Sequence, residues 1–289
     1  MGNRSSDFTM NKFTALALAF LSGSAAAQTP ATNPMPDGSR DMYVGLGLVS
    51  AARYEGAQHS ERKALPVLQV QWSNGVFVSG MSAGMHLSRD PRVEFGPLVE
   101  LQRRRDESGR GGGVDGMLMR YSVVSLPDAA LSENRLTGMT PVATRLLGGG
   151  FLNAYLTPDW RVTGSLLYGA GNEREGARLD LGVQRLAMQA GAQHRISVAA
   201  GVSLVNAGYN RAFFGVDELD SLRSGHPVYR PGGGLKDAHL GLRWNWAFTP
   251  SWMLTSNLQL VRLAGDARHS PLVERPTNLT VSTAIAYRF

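Results

Sequence analysis

An antiparallel transmembrane β-barrel of the outer-membrane type is the fold class this chain predicts: all-β, about twelve strands with ten as the alternative, behind a cleaved N-terminal signal peptide. Three features predict it. From residue 41 to the end, short segments alternate apolar and polar side chains with a period of two. After the leader no further run of ~18 apolar residues occurs, so the sequence offers no transmembrane helix. The connections between the alternating segments are uneven in length, as they are when short turns gather at one end of a barrel and long loops at the other.

The leader comes first. Arg4 and Lys12 give a positive start, FTALALAFLSGSAAAQ gives an apolar stretch and then small residues, and Ala25–Ala27 before Gln28 fits an A-x-A cleavage site. Residues 1–27 read as a signal peptide, with Met10 as an alternative start. Its apolar stretch is shorter than the ~20 residues a membrane helix needs. Residues 28–40, rich in Pro, Ser and Thr, read as a flexible lead-in to a barrel over residues 41–289. The whole chain of 289 residues has 43% apolar content, 34 glycines and no cysteine. The missing cysteines exclude disulfide frameworks, cysteine zinc sites, thiol catalysis and a lipoprotein anchor.

The strands follow from the alternation. The terminal VSTAIAYRF puts Val281, Thr283, Ile285, Tyr287 and Phe289 on one face and Ser282, Ala284, Ala286 and Arg288 on the other. DAHLGLRWNWAF sets Leu240, Leu242, Trp244, Trp246 and Phe248 against Asp237, His239, Gly241, Arg243 and Asn245. The first face suits lipid with an aromatic girdle, and the second suits a polar lumen. WMLTSNLQLVRL, ISVAAGVSLVN, WRVTGSLLYGA and RVEFGPLVELQ repeat the pattern. In the last of these Arg92, Glu94 and Glu100 point away from Val93, Phe95 and Val99. A dry sandwich core would not accept those charges cheaply. The resulting site expectations are membrane-interface aromatics at Trp160, Trp244, Trp246, Phe248, Trp252, Tyr287 and Phe289, and lumen-facing Arg92, Glu94, Glu100, His239, Arg243 and Asn245.

Less regular segments are MYVGLGLVS, RKALPVLQVQW, GVFVSGMSAGMHL, PVATRLLGGGFLNAYL and DLGVQRLAMQAGA. The last changes phase between Val183 and Leu186, which predicts a bulge. Pro66 and Pro97 sit awkwardly inside strands. These segments make eleven, and single-chain bacterial barrels have an even number of strands. GVDGMLMRYSVVS, residues 113–125, supplies the expected twelfth.

The pieces YVGLGLVSAARYEGA, LTGM at 136–139, YNRAFFGV at 209–216, SGHPVYRPGGGLKD, LAGDARHSPLV and the terminal AYRF, in this order, resemble the MipA/OmpV family. The family is named for a protein that interacts with a membrane-bound lytic transglycosylase. The resemblance spans nearly the whole mature chain. The Gly/Arg-rich region from Arg103 to Arg135 departs from it. The resemblance implies a non-enzymatic scaffold in the outer membrane of a Gram-negative bacterium, joining a lytic transglycosylase to a bifunctional murein synthase. A narrow channel and a surface adhesin are the alternatives. It also implies that the terminal aromatics are read by the barrel-assembly machinery. No catalytic residues come with it, and no cofactor or metal is expected.

Several loop residues are candidates for interaction: Tyr54 and Gly56 flanking Glu55, the run Arg103, Arg104 and Arg105, the pair Phe213 and Phe214, and Asp266, Ser270 and Pro271. Tyr54 and Gly56 also fit ordinary turn chemistry. Phe213 and Phe214 fit either an exposed patch or a lumen plug. The arginine run fits lipopolysaccharide phosphates, for which guanidinium forks are suited, or a solvated loop base. Asp266, His269 and Ser270 invite a catalytic reading, but a triad is set by geometry and not by adjacency. A lipid hydrolase would need a strand-borne Ser/His pair, and His239 alone falls cleanly on a polar face. The six histidines show no i, i+4 pair. Nucleic acid is excluded as a partner because the basic charges are dispersed and the chain is exported.

Overall fold

A computed structural model describes residues 40–88, 90, 92–107, 135–191 and 193–289. The signal peptide, the lead-in before Arg40 and the strand expected at 113–125 lie outside the described residues.

Twelve strands form a closed antiparallel barrel in which each pairs with its neighbours in sequence and the last pairs with the first. They are β1 (Arg40–Ala52), β2 (Ser60–Trp72), β3 (Val76–Ser79), β4 (Ser82–Met85), β5 (Val93–Gln102), β6 (Arg145–Tyr155), β7 (Trp160–Ala170), β8 (Gly176–Ala190), β9 (His194–Val205), β10 (Gly234–Ala247), β11 (Trp252–Leu263) and β12 (Thr277–Arg288). The expected number is therefore found, but one strand arises differently. GVFVSGMSAGMHL does not run through as one strand. It folds back at Gly80, whose φ of 57° is in the left-handed region, and makes the short β3–β4 hairpin.

This hairpin accounts for both prolines. β3 pairs with β2 only at Gln69–Gln71, and β4 pairs with β5 only at Ser82–Gly84. Pro66 lies beyond the end of the first ladder, and Pro97 lies one residue past the last pair of the second. A ring without an N–H is tolerated where a ladder has stopped. The phase change in β8 is also real, but the register shifts between Leu186 and Met188, slightly later than the sequence suggests.

The outer face is apolar. Leu46 is 68% exposed, and Leu48, Leu152, Leu166, Leu240, Leu242, Leu258, Leu260, Val281 and Ile285 are exposed with it. On a soluble protein so large an apolar surface would be a liability. On a barrel it is the face that meets hydrocarbon.

The seam joins Tyr43–Ser50 of β1 to Val281–Arg288 of β12 in continuous register. Gly45 faces Ala286 there, and a β-carbon on it would lie 2.0 Å from the Ile285 carbonyl oxygen. The two strands meet this closely only because residue 45 has no side chain.

The main buried core is not in the wall. It lies at the loop end, where the connections fold into a cap. The β9–β10 connection forms α1 (Ala207–Phe214) and α2 (Glu218–Ser224), and the β11–β12 connection forms α3 (Gly265–His269). The Asn206 side chain accepts from the Tyr209 N–H and Asp217 accepts from the Asp220 N–H, so both longer helices start on side-chain caps. Tyr209 and Phe214 of α1 pack on Leu147, Leu167, Val205 and Leu263 of the wall and Ala267 of α3. A second cluster joins Tyr54, Ala57, Leu136, Met139, Val216 and Leu272 from four connecting segments.

Replacing Gly45 by Val blocks the seam. Heat-dependent gel mobility of refolded protein should show at least a severalfold loss of the closed form. Gly148→Ala, where an added β-carbon meets nothing within 4 Å, should refold normally.

Candidate functional site

Beneath α1 the lumen holds a cavity of about 720 Å³. Its roof includes Tyr209 and Phe213, and its walls carry Glu55, Glu100, Arg103, Arg178, Asp180, Lys236, Asp237 and His239. A bulge builds part of it. The β9–β10 register shifts between Leu235 and Asp237, so Lys236 and Asp237 line the cavity together although they are adjacent in sequence. A glycine builds another part. A β-carbon on Gly201 would lie 2.5 Å from Nε2 of His239, so the imidazole fits only over a bare backbone.

The charges in this cavity are paired with one another. Lys236 Nζ donates to Glu55 Oε1 at 2.9 Å and lies 3.1 Å from Asp237 Oδ2. It also sits 5.4 Å from the centre of the Tyr209 ring. His239 Nδ1 is 3.1 Å from the other Asp237 oxygen. Arg178 holds both Glu100 oxygens at 2.9 and 3.0 Å and Asp180 at 2.7 Å, and Ser203 donates to Asp180 at 2.7 Å. Burial pushes the Tyr209 hydroxyl above the ordinary phenol range, with Glu55 adding to the shift. The network ties the β1–β2 loop, α1 and strands β5, β8, β9 and β10 together.

The loop residues expected to face a partner mostly hold the cap. Tyr54 is buried and donates to the Leu272 carbonyl at 3.2 Å. Gly56, at φ 93°, donates to Asn278 Oδ1, and its carbonyl accepts from the N–H groups of Glu274 and Arg275. Phe214 is 1% exposed and Phe213 packs beside it, so the pair plugs the lumen and is not a surface patch. Asp266 accepts from the Gly232 N–H, Ser270 donates to the Phe214 carbonyl, and the Pro271 carbonyl accepts from Arg135. The arginine run is split. All three border the cavity, Arg103 and Arg104 are exposed, and Arg105 is buried with its guanidinium donating to the Phe213 and Thr140 carbonyls. Burial lowers the Arg105 pKa to about 10, and Asp220 opposes that shift. Arg105 is withdrawn from the surface, and Arg103 and Arg104 stay exposed.

At the other end of the barrel the expected aromatics form a continuous arc. His194 stacks with Trp244 and Trp246, and centroid distances of 5.0 to 6.5 Å then link Trp246, Phe248, Trp252, Tyr287 and Phe289. Trp160 lies on β7, away from this arc, under the Arg185 guanidinium. Of the expected lumen residues, Glu94 is buried and accepts from Asn153 and Tyr155, Arg243 donates to Asn257, and Asn245 accepts from Thr255. Arg92 instead lies in the turn before β5 and is exposed.

A family model described as "MltA-interacting protein MipA" matches residues 44–289. The chain belongs to the MipA family. A curated relative in Vibrio cholerae, "Outer membrane protein OmpV", is 29% identical over 90 residues, which is 31% of this chain and 34% of the relative. The match thus spans about a third of that relative's length. Among solved structures, the translocator domain of the autotransporter NalP from Neisseria meningitidis superposes with a TM-score of 0.48 at 10% identity, covering 90% of this chain and 92% of that one. An outer-membrane channel from Pseudomonas putida F1 gives 0.44 at 11% identity, covering 91% and 100%. Family and fold are both of the outer-membrane barrel type.

Lys236, Arg178, Asp180 and Tyr209 were not singled out from the sequence. Arg178 precedes the alternating run recognised in β8, and the bulge hides Lys236. YNRAFFGV carried the signal for Tyr209, as a family piece without a stated role. Breaking one partner of a buried pair is strongly destabilising. Lys236→Met should therefore cost about 3 kcal/mol in urea unfolding of the refolded barrel. Arg230→Met, at the exposed pair with Glu218, should cost under ~1 kcal/mol.

Proposed function

We propose that this protein is a non-enzymatic outer-membrane scaffold that holds a lytic transglycosylase and a murein synthase against the membrane from its turn end. The observation that carries this reading is how the loops are used. Tyr54, Gly56, Arg105, Phe214, Asp266 and Ser270 are bonded to one another's segments, so the loop end is closed over and braced. The turn end carries the aromatic arc, both ends of the barrel chain, and exposed Leu87 and Leu156 on the β4–β5 and β6–β7 turns. Short turns face the periplasm in barrels of this type, where murein lies. The family description, an MltA-interacting protein, supports the same class of partner. On this reading the terminal aromatics are also the assembly signal. Arg103 and Arg104 are the members of the arginine run exposed for lipopolysaccharide phosphates.

A narrow channel is the second reading, favoured by the solvent-exposed Arg243 on the lumen face. A planar bilayer that stays silent after insertion of purified protein would dispose of it.

In-cell cross-linking followed by affinity purification tests the scaffold. A lytic transglycosylase and a murein synthase should be enriched over an unrelated barrel of equal abundance. Leu87→Asp with Leu156→Asp should cut that recovery at least severalfold without lowering barrel levels. Recovery equal to the control barrel would reject the scaffold.

A further inference from the structure

The lumen charges differ with level. Towards the cap, Arg178 and Lys236 each touch two carboxylates. Towards the turn end, two arginines touch none among the described residues. Arg161 donates to the Tyr155 hydroxyl and to Gln184 Oε1, and its guanidinium lies 5.8 Å from the Tyr155 ring centre. Arg243 donates to Asn257 Oδ1 at 2.8 Å. All three acceptors are neutral. The nearby carboxylate, Glu94, is occupied by Asn153 and Tyr155.

The two guanidiniums stand on one stretch of the lumen wall, three strands apart. One row of paired residues runs across the wall from Arg161 to Gln184, Ala199 and Gly241, and Arg243 stands two residues along from Gly241. Ala199 and Gly241 have almost no side chain, so the floor between the arginines is bare. Arg243 is exposed although it shares the lumen face of β10 with His239, so this level contains solvent. Arg195, on the same face of β9 as Ser197, adds a third positive charge at the rim. Like charges are not gathered at one level without a cost, and here the one carboxylate near them, Glu94, reaches Arg161 only through the shared Tyr155 hydroxyl.

We infer that Arg161 and Arg243 form an anion site in the turn-end half of the lumen, for a small solute carrying a carboxylate or a phosphate. Each guanidinium is held by one side through its neutral acceptors, which leaves donors free to bind an oxyanion in the fork geometry. The bare floor of Ala199 and Gly241 gives the solute room. Arg178 and Lys236 at the cap end do not compete, because each is already neutralised by two carboxylates. This site does not depend on the scaffold reading.

The test is titration calorimetry on the full barrel in neutral detergent at low ionic strength, with glucuronate, inorganic phosphate and glucose as probes. Glucuronate or phosphate should bind in the millimolar range and glucose should not. Glucuronate alone would assign a carboxylate site, and phosphate alone a phosphate site. Arg161→Gln with Arg243→Gln should weaken binding about tenfold or more, the loss expected when charge-assisted bonds are removed. Arg230→Gln, at the exposed pair with Glu218, should leave it unchanged. If the double variant does not give the heat-dependent gel shift of a closed barrel, Arg243→Gln alone is the deciding variant and should still weaken binding severalfold. Silence with both anions, equal heat from glucose, or unchanged affinity in the folded variant would overturn the site.

Discussion

Closure of the ladder between β1 and β12 is the constraint on which the rest of the structure depends. In hydrocarbon no water is available to an unpaired N–H or carbonyl, so a spanning sheet must leave no edge. The seam meets this with eight paired positions from Tyr43 to Ser50 and a glycine where the strands come closest. Once the sheet is closed, side chains have only two destinations. Every second residue faces lipid and must be apolar, which removes Leu46, Leu240 and Leu258 from any core. The hydrophobic core then has to form elsewhere, and it forms in the cap, where α1 lies across the mouth of the barrel.

The cap in turn decides how the lumen can hold charge. Under α1 Lys236 and Asp237 are buried, and two unit charges 4 Å apart interact by about 4 kcal/mol at an effective dielectric of 20, against about 1 kcal/mol in water. A cation there must be neutralised, and Lys236 and Arg178 both are. Near the turn end the lumen is wet enough for Arg243 to remain exposed. A guanidinium held only by neutral acceptors is tolerated there. The same polar lumen therefore has a braced half, where Arg178 and Lys236 are held by carboxylates, and an open half, where Arg161 and Arg243 keep donors for a ligand.

How much of this could be read from the sequence follows from the range of each interaction. The wall is a local pattern: two unlike faces at a period of two show in any ten residues, and β10, β11 and β12 were legible from that alone. The cap is not local. Tyr54 reaches Leu272 across 218 positions and Lys236 reaches Glu55 across 181. Composition marked Tyr54, Gly56, Asp266 and Ser270 as unusual loop residues, but their role is set by neighbours that no window contains. Lys236 was hidden for a different reason. The bulge at Leu235–Asp237 turns two consecutive side chains inward, and strict alternation assigns one of them to the wrong face.

The β3–β4 hairpin shows how local and global constraints meet. Both ends of the barrel chain lie at the turn end, which requires an even number of strands. Eleven alternating segments therefore needed one more, and the chain obtains it by folding one segment in two and not by adding length. The fold-back falls at Gly80, which takes a backbone conformation that costs other residues more. It leaves short ladders on either side, and these end just where Pro66 and Pro97 have no N–H to give. Two prolines that sit awkwardly in separate strands and the glycine of the fold-back are thus one feature, a low section of wall, and the cavity lining reaches it at Gly80, Met81 and Ser82.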